Sequence, residues 1–142
     1  LIPGQNDSPA QLKAQCQWIA DNLGPGVPLH FTAFHPAYRM MDAPPTPLST
    51  LRNARQIALS EGLHYVYTGN VYDETGANTI CHKCTKILIR RSGYNVQDWH
   101  LTTDGNCEFC NEKCRGVFED LPGSWGSRMR PVNIADYVLP TW

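Results

Sequence analysis

No stretch of this sequence approaches the roughly 20 continuous apolar residues that a membrane helix needs, which argues against a spanning segment. Nor does a charged start lead into an apolar core, the pattern of a secretory signal peptide. Charge of one sign is missing too: 12 basic against 13 acidic side chains give a formal net charge of −1. Without a basic field to collect phosphates, nucleic acid is a poor partner. There is no Ser/His/Asp set, no phosphate-binding glycine loop and no pair of carboxylates suited to acid–base work. An initiating Met is also lacking. The chain opens on Leu1-Ile2-Pro3-Gly4, an apolar pair running into a turn as a strand end does, which predicts that residues precede Leu1 in the natural protein.

What is present is ordinary globular material, 42% hydrophobic and 18% charged over 142 residues. That excludes wholesale disorder and allows a small α/β unit with a satellite module. Cys16 stands alone, whereas Cys81, Cys84, Cys107, Cys110 and Cys114 crowd together. Paired two-residue gaps suit a metal better than disulfides, so the thiols are read as reduced and the compartment as cytosolic.

Residues 8–23 carry helix signals: Ser8 to cap, Pro9 at the first helical position, and Gln11 to complete a capping box. Leu12, Cys16, Ile19 and Leu23 recur on one face, which makes Cys16 a packing residue. A strand over 28–34, a Pro-rich loop, a helix over 48–61 ended by Gly62, and a strand over 63–68 follow. Strands alternating with helices imply parallel crossover units, too few here to close a barrel. Residues 1–72 therefore read as the last βα units of one, 73–116 as a four-cysteine ribbon, and 117–142 as a C-terminal tail of open conformation. Within the second part, 73–78 is a polar connector, and a hairpin over 86–91 and 94–101 turns at Ser92-Gly93.

Cys81-His82-Lys83-Cys84 and Cys107-Glu108-Phe109-Cys110 are both Cys-x2-Cys, 22 residues apart. Such a gap turns both thiolates toward one ion, and a second knuckle delivered by a hairpin completes a tetrahedron. Zinc is the default ion, with iron fitting the same geometry. The role predicted is structural, because a ribbon this small folds on metal binding and a closed site leaves no position for water or substrate. Cys114 is either a replacement for Cys110 or a spare thiol, and the spare thiol is favoured. His82 and His100 could substitute as ligands, but four thiolates already fill the site.

Ligands of α/β units gather at the carboxyl ends of strands. The candidate loops are 3–8, 35–40 and 68–71. Asn6 and Asp7 precede a helix N-terminus, where capping accounts for them, and they also count as candidate cofactor contacts. His35 stands at a strand end, with Tyr38 and Arg39 near the same mouth; Asn70 suits a turn.

These runs carry a resemblance. Leu1-Ile2-Pro3-Gly4-Gln5-Asn6-Asp7-Ser8 resembles the PG-x-(N/T)-D segment near the barrel end of pyruvate formate-lyase activating enzymes. His30-Phe31-Thr32-Ala33-Phe34-His35-Pro36-Ala37-Tyr38-Arg39-Met40, with Pro44-Pro45-Thr46-Pro47, is similar to the HF-x-x-FHP-x-Y-(K/R)-M…PPTP stretch of AmmeMemoRadiSam system radical SAM enzymes. Tyr65-Val66-Tyr67-Thr68-Gly69-Asn70-Val71, then Asn78-Thr79 and both knuckles, extend the likeness over about residues 1–118 in matching order.

The resemblance implies an α/β fold: the C-terminal slice of a partial (β/α) radical SAM barrel followed by a rubredoxin-like zinc ribbon. It implies a parent oxidoreductase that binds a 4Fe-4S cluster and S-adenosylmethionine, cleaves the latter reductively to a 5′-deoxyadenosyl radical, and acts on a substrate that could itself be a protein. The cluster loop belongs to the missing N-terminal barrel portion, so this chain alone is not expected to cleave S-adenosylmethionine. His35 is then the leading cofactor contact by position. The family's ribbons often carry Pro inside and Gly after each knuckle; here His82 and Glu108 stand inside, with Thr85 and Asn111 after, departures expected to weaken amide-to-sulfur hydrogen bonds. A free-standing zinc-ribbon interaction module and a rubredoxin-like electron carrier are the alternative functions.

Overall fold

Ser8 caps the first helix as expected, but the Gln11 side chain bonds the Ser8 hydroxyl rather than its amide, so the capping box forms only in half. In the computed structural model, the Ser8 hydroxyl accepts the Gln11 amide at 3.4 Å and meets the Gln11 side chain at 2.7 Å. Pro9 opens helix α1 (Pro9–Asn22). The structure describes residues 1–118, 121–123, 126–129 and 131–133, so most of the expected tail lies outside the described residues. Along them follow β1 (Leu29–Thr32), α2 (Leu48–Ser60), β2 (Val66–Gly69), the short α3 (Glu74–Ala77), β3 (Thr79–Ile80), β4 (Ile87–Ser92) and β5 (Asn95–Trp99).

This is a small mixed α/β chain. β1 and β2 pair in parallel, with Leu29 opposite Val66 and Thr32 opposite Gly69. β3, β4 and β5 form an antiparallel sheet in that order. Helix α2 is the crossover between the parallel strands, and Gly62, at φ 90°, closes it. The amides of Gly62 and Leu63 return to Leu59 and Ala58, the paired bonds of a Schellman stop.

Two cores result. Leu12 and Cys16 of α1 pack with Leu51, Ala54 and Ala58 of α2 against Phe31 and Val66. The small side chains let the two helices approach closely. Burial pushes the Cys16 thiol upward, with Glu61 adding to it, as befits a packing residue. The second core joins Leu88, Ile89 and Leu101 of the ribbon to Cys81, Cys107 and Cys114, and Tyr65 from the α/β unit enters it.

Strand alternation sorts the parallel pair into two faces. Phe31, Val66 and Thr68 turn toward the helices and are buried, whereas His30, Thr32, Tyr67 and Gly69 lie on the opposite face. The amides of Leu29 and Ala33 bond to β2 through Tyr65 O and Gly69 O. The groups of Thr32 and Phe34 therefore face the other edge, where the Leu1 nitrogen donates to Thr32 O at 2.6 Å. Leu1-Ile2, expected to end a strand, takes one strand-like bond and then turns, Gln5 N donating to Ile2 O. Two residues before a Pro-Gly turn do not make a ladder. The other expected strands are shorter than the sequence pattern, because Phe34 N goes to the Thr46 hydroxyl and His64 N to Pro25 O.

Candidate metal centre

The two knuckles are built alike. In the first, Cys81 N donates to Lys86 O and Thr85 N returns to Cys81 O; in the second, Cys107 N donates to Glu112 O and Asn111 N returns to Cys107 O. Both turns need a left-handed residue in the fifth position, and Thr85 and Asn111 supply it at φ 61° and 60°. Gly is the residue that adopts this conformation without steric cost.

The four sulfurs converge. Cys81 Sγ lies 3.6 Å from Cys110 Sγ, and Cys84 Sγ lies 3.6 Å from Cys107 Sγ. All four fall within 4.8 Å of one another, with Cys81 and Cys107 buried and the other two half-buried. A zinc–sulfur bond of about 2.3 Å places tetrahedral ligands about 3.8 Å apart, so the cage fits one metal ion such as zinc or iron. A four-iron cluster would hold its sulfurs farther apart.

Amides reach the sulfurs despite the knuckles' departures. Lys83 and Cys84 donate to Cys81, Lys86 to Cys84, and Glu112 to Cys110. The Lys86 amide and the neighbouring sulfurs outweigh burial and draw the Cys84 thiol down to about 7. At Cys110 the Glu112 amide pulls the other way, but burial and the three sulfurs push it up to about 12. One thiolate thus disfavours a second in the same cage, and a divalent cation removes that penalty.

The alternative ligands stand elsewhere. Cys114 is buried beside the Tyr65 phenol, and burial pushes both groups upward. His100 Nδ1 lies 3.0 Å from Glu108 Oε2, and His82 stacks on His64 with ring centroids 3.9 Å apart.

Thr85 offers a direct measure of the strain in this turn. A left-handed non-glycine residue costs about 1–2 kcal/mol, and the extra chain entropy of Gly takes back about 0.5–1. Thr85→Gly should therefore stabilise the metal-loaded chain by about 0.5–1 kcal/mol in urea denaturation. A lower midpoint would show that the hydrogen bond from Thr85 Oγ1 to Cys84 O, 2.7 Å, outweighs the strain.

The candidate ligand loops gather only in part. Asn6 and Asp7 do not cap α1; their side chains accept Ile2 N at 2.7 Å and Gly4 N at 2.8 Å, closing their own loop. His35 and Asn70 do meet. His35 Nε2 donates to Asn70 O at 3.1 Å, and Asn70 Nδ2 donates to Ala33 O at 3.0 Å, joining the carboxyl ends of β1 and β2. Asn70 takes the turn conformation expected of it, φ 58°. Tyr38 and Arg39 project outward, the guanidinium 5.2 Å over the exposed phenol ring.

Over 114 residues, 80% of this chain, the sequence is 42% identical to an uncharacterized protein of Methanocaldococcus jannaschii. The aligned part is 34% of that protein's length, so the chain spans about a third of this relative. No family model matches the sequence, and no solved structure matches it. Among the described residues, no helix is long and apolar enough to cross a membrane.

Reading the residues alone missed two structural contributors. Thr46 is buried, and its hydroxyl accepts Phe34 N at 2.8 Å while donating to Leu1 O at 2.6 Å. Its place between two prolines was the available signal, since flanking prolines fix the backbone that aims it. Asp73, assigned to a polar connector, is buried beneath Arg52 and Thr68, a long-range match that spacing does not reveal.

Proposed function

We propose that this chain is the C-terminal part of a radical S-adenosylmethionine enzyme of the AmmeMemoRadiSam type, with a structural zinc ion in the four-cysteine cage. The observation that carries the reading is the parallel crossover. β1 and β2 pair in parallel through the α2 crossover, with the helices on one side, and Leu1 meets the other edge of β1 by a single bond. A parallel pair joined by a helical crossover is the repeating unit of a (β/α) barrel. On the second edge of β2, Arg55 Nε donates to Val66 O at 2.9 Å. Such a guarded edge suits the last strand of an open barrel.

A 4Fe-4S cluster held by the upstream portion would supply the electron that cleaves S-adenosylmethionine. The residues of this chain bind and orient. A carbonyl only accepts, so the bond to Asn70 O places a proton on His35 Nε2. In the tautomer with that proton on Nε2, Nδ1 is the acceptor His35 offers at the strand mouth. The turn of Asn6 and Asp7 shapes the adjoining loop, in line with a supporting part in cofactor binding.

In the full-length enzyme, His35→Ala should weaken S-adenosylmethionine binding by up to about tenfold, the worth of one net hydrogen bond, with iron content unchanged. Calorimetric titration beside iron analysis measures both. Unaltered affinity removes His35 from the cofactor site. An upstream sequence without a Cys-x3-Cys-x2-Cys triplet ends the radical reading altogether.

A further inference from the structure

A cleft of about 810 Å³ opens between the carboxyl end of β2 and the tip of the β4–β5 hairpin, apart from the metal cage. One wall is the sheet face turned away from the helices, where His30 stacks on Tyr67 with ring centroids 4.8 Å apart. The hairpin supplies the other wall through Arg91, Tyr94 and Gln97.

Arg91 is held in place from several sides. Its Nη1 donates to Ala77 O at 3.1 Å and to Thr79 Oγ1 at 2.8 Å, and its guanidinium carbon lies 5.8 Å from the Tyr67 ring centre. The Tyr67 hydroxyl shares a hydrogen bond with the same Thr79 oxygen at 2.9 Å. A guanidinium carries five N–H donors, and these contacts engage only Nη1. Among the described residues, the Nε and Nη2 edge, the side that grips carboxylates and phosphates with two parallel bonds, is left for another partner.

Charge separates Arg91 from its neighbours. Arg90 is matched by Asp98 at 2.6 Å and faces Glu74 at 3.9 Å, and Arg52 is matched by Asp73 at 2.9 Å. Arg91 meets a carbonyl, a hydroxyl and a ring, all neutral, among the described residues. It is half-buried, and a permanent cation in that position is stabilised by a counter-charge. The carboxylates at the rim, Asp73 and Glu74, already face Arg52 and Arg90 and do not cancel it. Tyr72 and Tyr94 line the same cleft and are each 81% exposed, which leaves flat aromatic surface open to a ring.

The geometry points to a binding site for an organic anion, its carboxylate or phosphate on the free edge of Arg91 and a planar ring against Tyr72 and Tyr94. The sheet wall of the cleft is the face a barrel turns inward, so what else encloses the site rests on the radical-enzyme reading, whereas anion binding by this chain alone is tested apart from it.

The test is an NMR titration of the metal-loaded chain with benzoate, phenyl phosphate and inorganic phosphate. Saturable shifts of the Arg91 Nε–H and Tyr94 ring signals are expected with the aryl anions. The tighter of these two identifies the anion as carboxylate or phosphate. Phenyl phosphate should bind about tenfold tighter than inorganic phosphate, the share of a ring contact. Arg91→Gln should abolish the shifts. If that variant loses the wild-type amide pattern, Tyr94→Ala decides, because Tyr94 is exposed and belongs to neither core. A fall in aryl affinity there supports the site, and an unchanged affinity overturns it. No saturation with either aryl anion, equal binding of phenyl phosphate and inorganic phosphate, or full binding in a folded Arg91→Gln chain would each overturn the inference.

Discussion

Cys81→Ser is expected to release about one equivalent of metal and to unfold the ribbon. Cys81 is buried, its sulfur lies 3.6 Å from that of Cys110, and its amide and carbonyl close the first knuckle. Structural zinc contributes on the order of 10–16 kcal/mol to a small domain, far more than the apolar side chains of this ribbon can replace. Cys114→Ser serves as the control and should keep its ion, since Cys114 lies outside the four-sulfur cage. Metal analysis with near-ultraviolet dichroism separates the two variants. The same preparation identifies the ion, because ferric thiolate absorbs strongly in the visible and zinc is colourless. Retention of both metal and fold in Cys81→Ser would remove Cys81 from the ligand set.

Asp73→Ala carries the second largest expected effect, a loss of about 2–3 kcal/mol. The Asp73 side chain is 1% exposed and receives Arg52 Nη2 at 2.9 Å and Thr68 Oγ1 at 3.0 Å. Breaking a buried ion pair costs about 3–5 kcal/mol, and the exposure of Arg52, 59%, scales that down. A methyl group at Gly76 would overlap Thr68 Oγ1 and Asp73 Oδ2, so the chain is kept bare where this network passes. Urea denaturation of the metal-loaded chain reads the loss, and a change below about 0.5 kcal/mol would show the network to be ornamental.

The pH dependence has a definite sign. Burial pushes the Asp73 carboxyl up, but hydrogen bonds from Arg52 and Thr68 and the Arg52 charge outweigh it and hold the group below its ordinary value. A carboxylate with a depressed folded pKa contributes fully above its unfolded value, about 3.9, and loses that contribution as pH falls toward the folded one. The difference in stability between wild type and Asp73→Ala should therefore shrink below about pH 4.

Local chemistry made much of this molecule legible in sequence. The Ser8 cap, the apolar stripe through Leu12, Cys16 and Ile19, the glycine stop at Gly62 and the hairpin turn at Gly93 each act within a few residues, and each forms, whereas Leu23, expected on that stripe, is exposed. The four thiolates also converge as their spacing requires. What escaped was one choice of local partner and two long-range matches. Asn6 and Asp7 satisfy backbone groups of their own turn because Ser8 already serves the helix. Thr46 meets Leu1 45 residues away, and Asp73 meets Arg52 21 residues away. Polar side chains that match across such distances leave no periodic trace, and only the folded chain shows which amide or carbonyl each one answers.

Tyr65 and Val66 are consecutive, yet one is buried with the ribbon's cysteines and the other with the helices. A single peptide bond thus separates side chains belonging to different interiors. Stripping the ion by chelation would slacken the anchorage of Tyr65 and, through it, the start of β2. Helices that supply no ligand to an ion held in the cage should then melt earlier, so such an ion would steady both interiors rather than one corner.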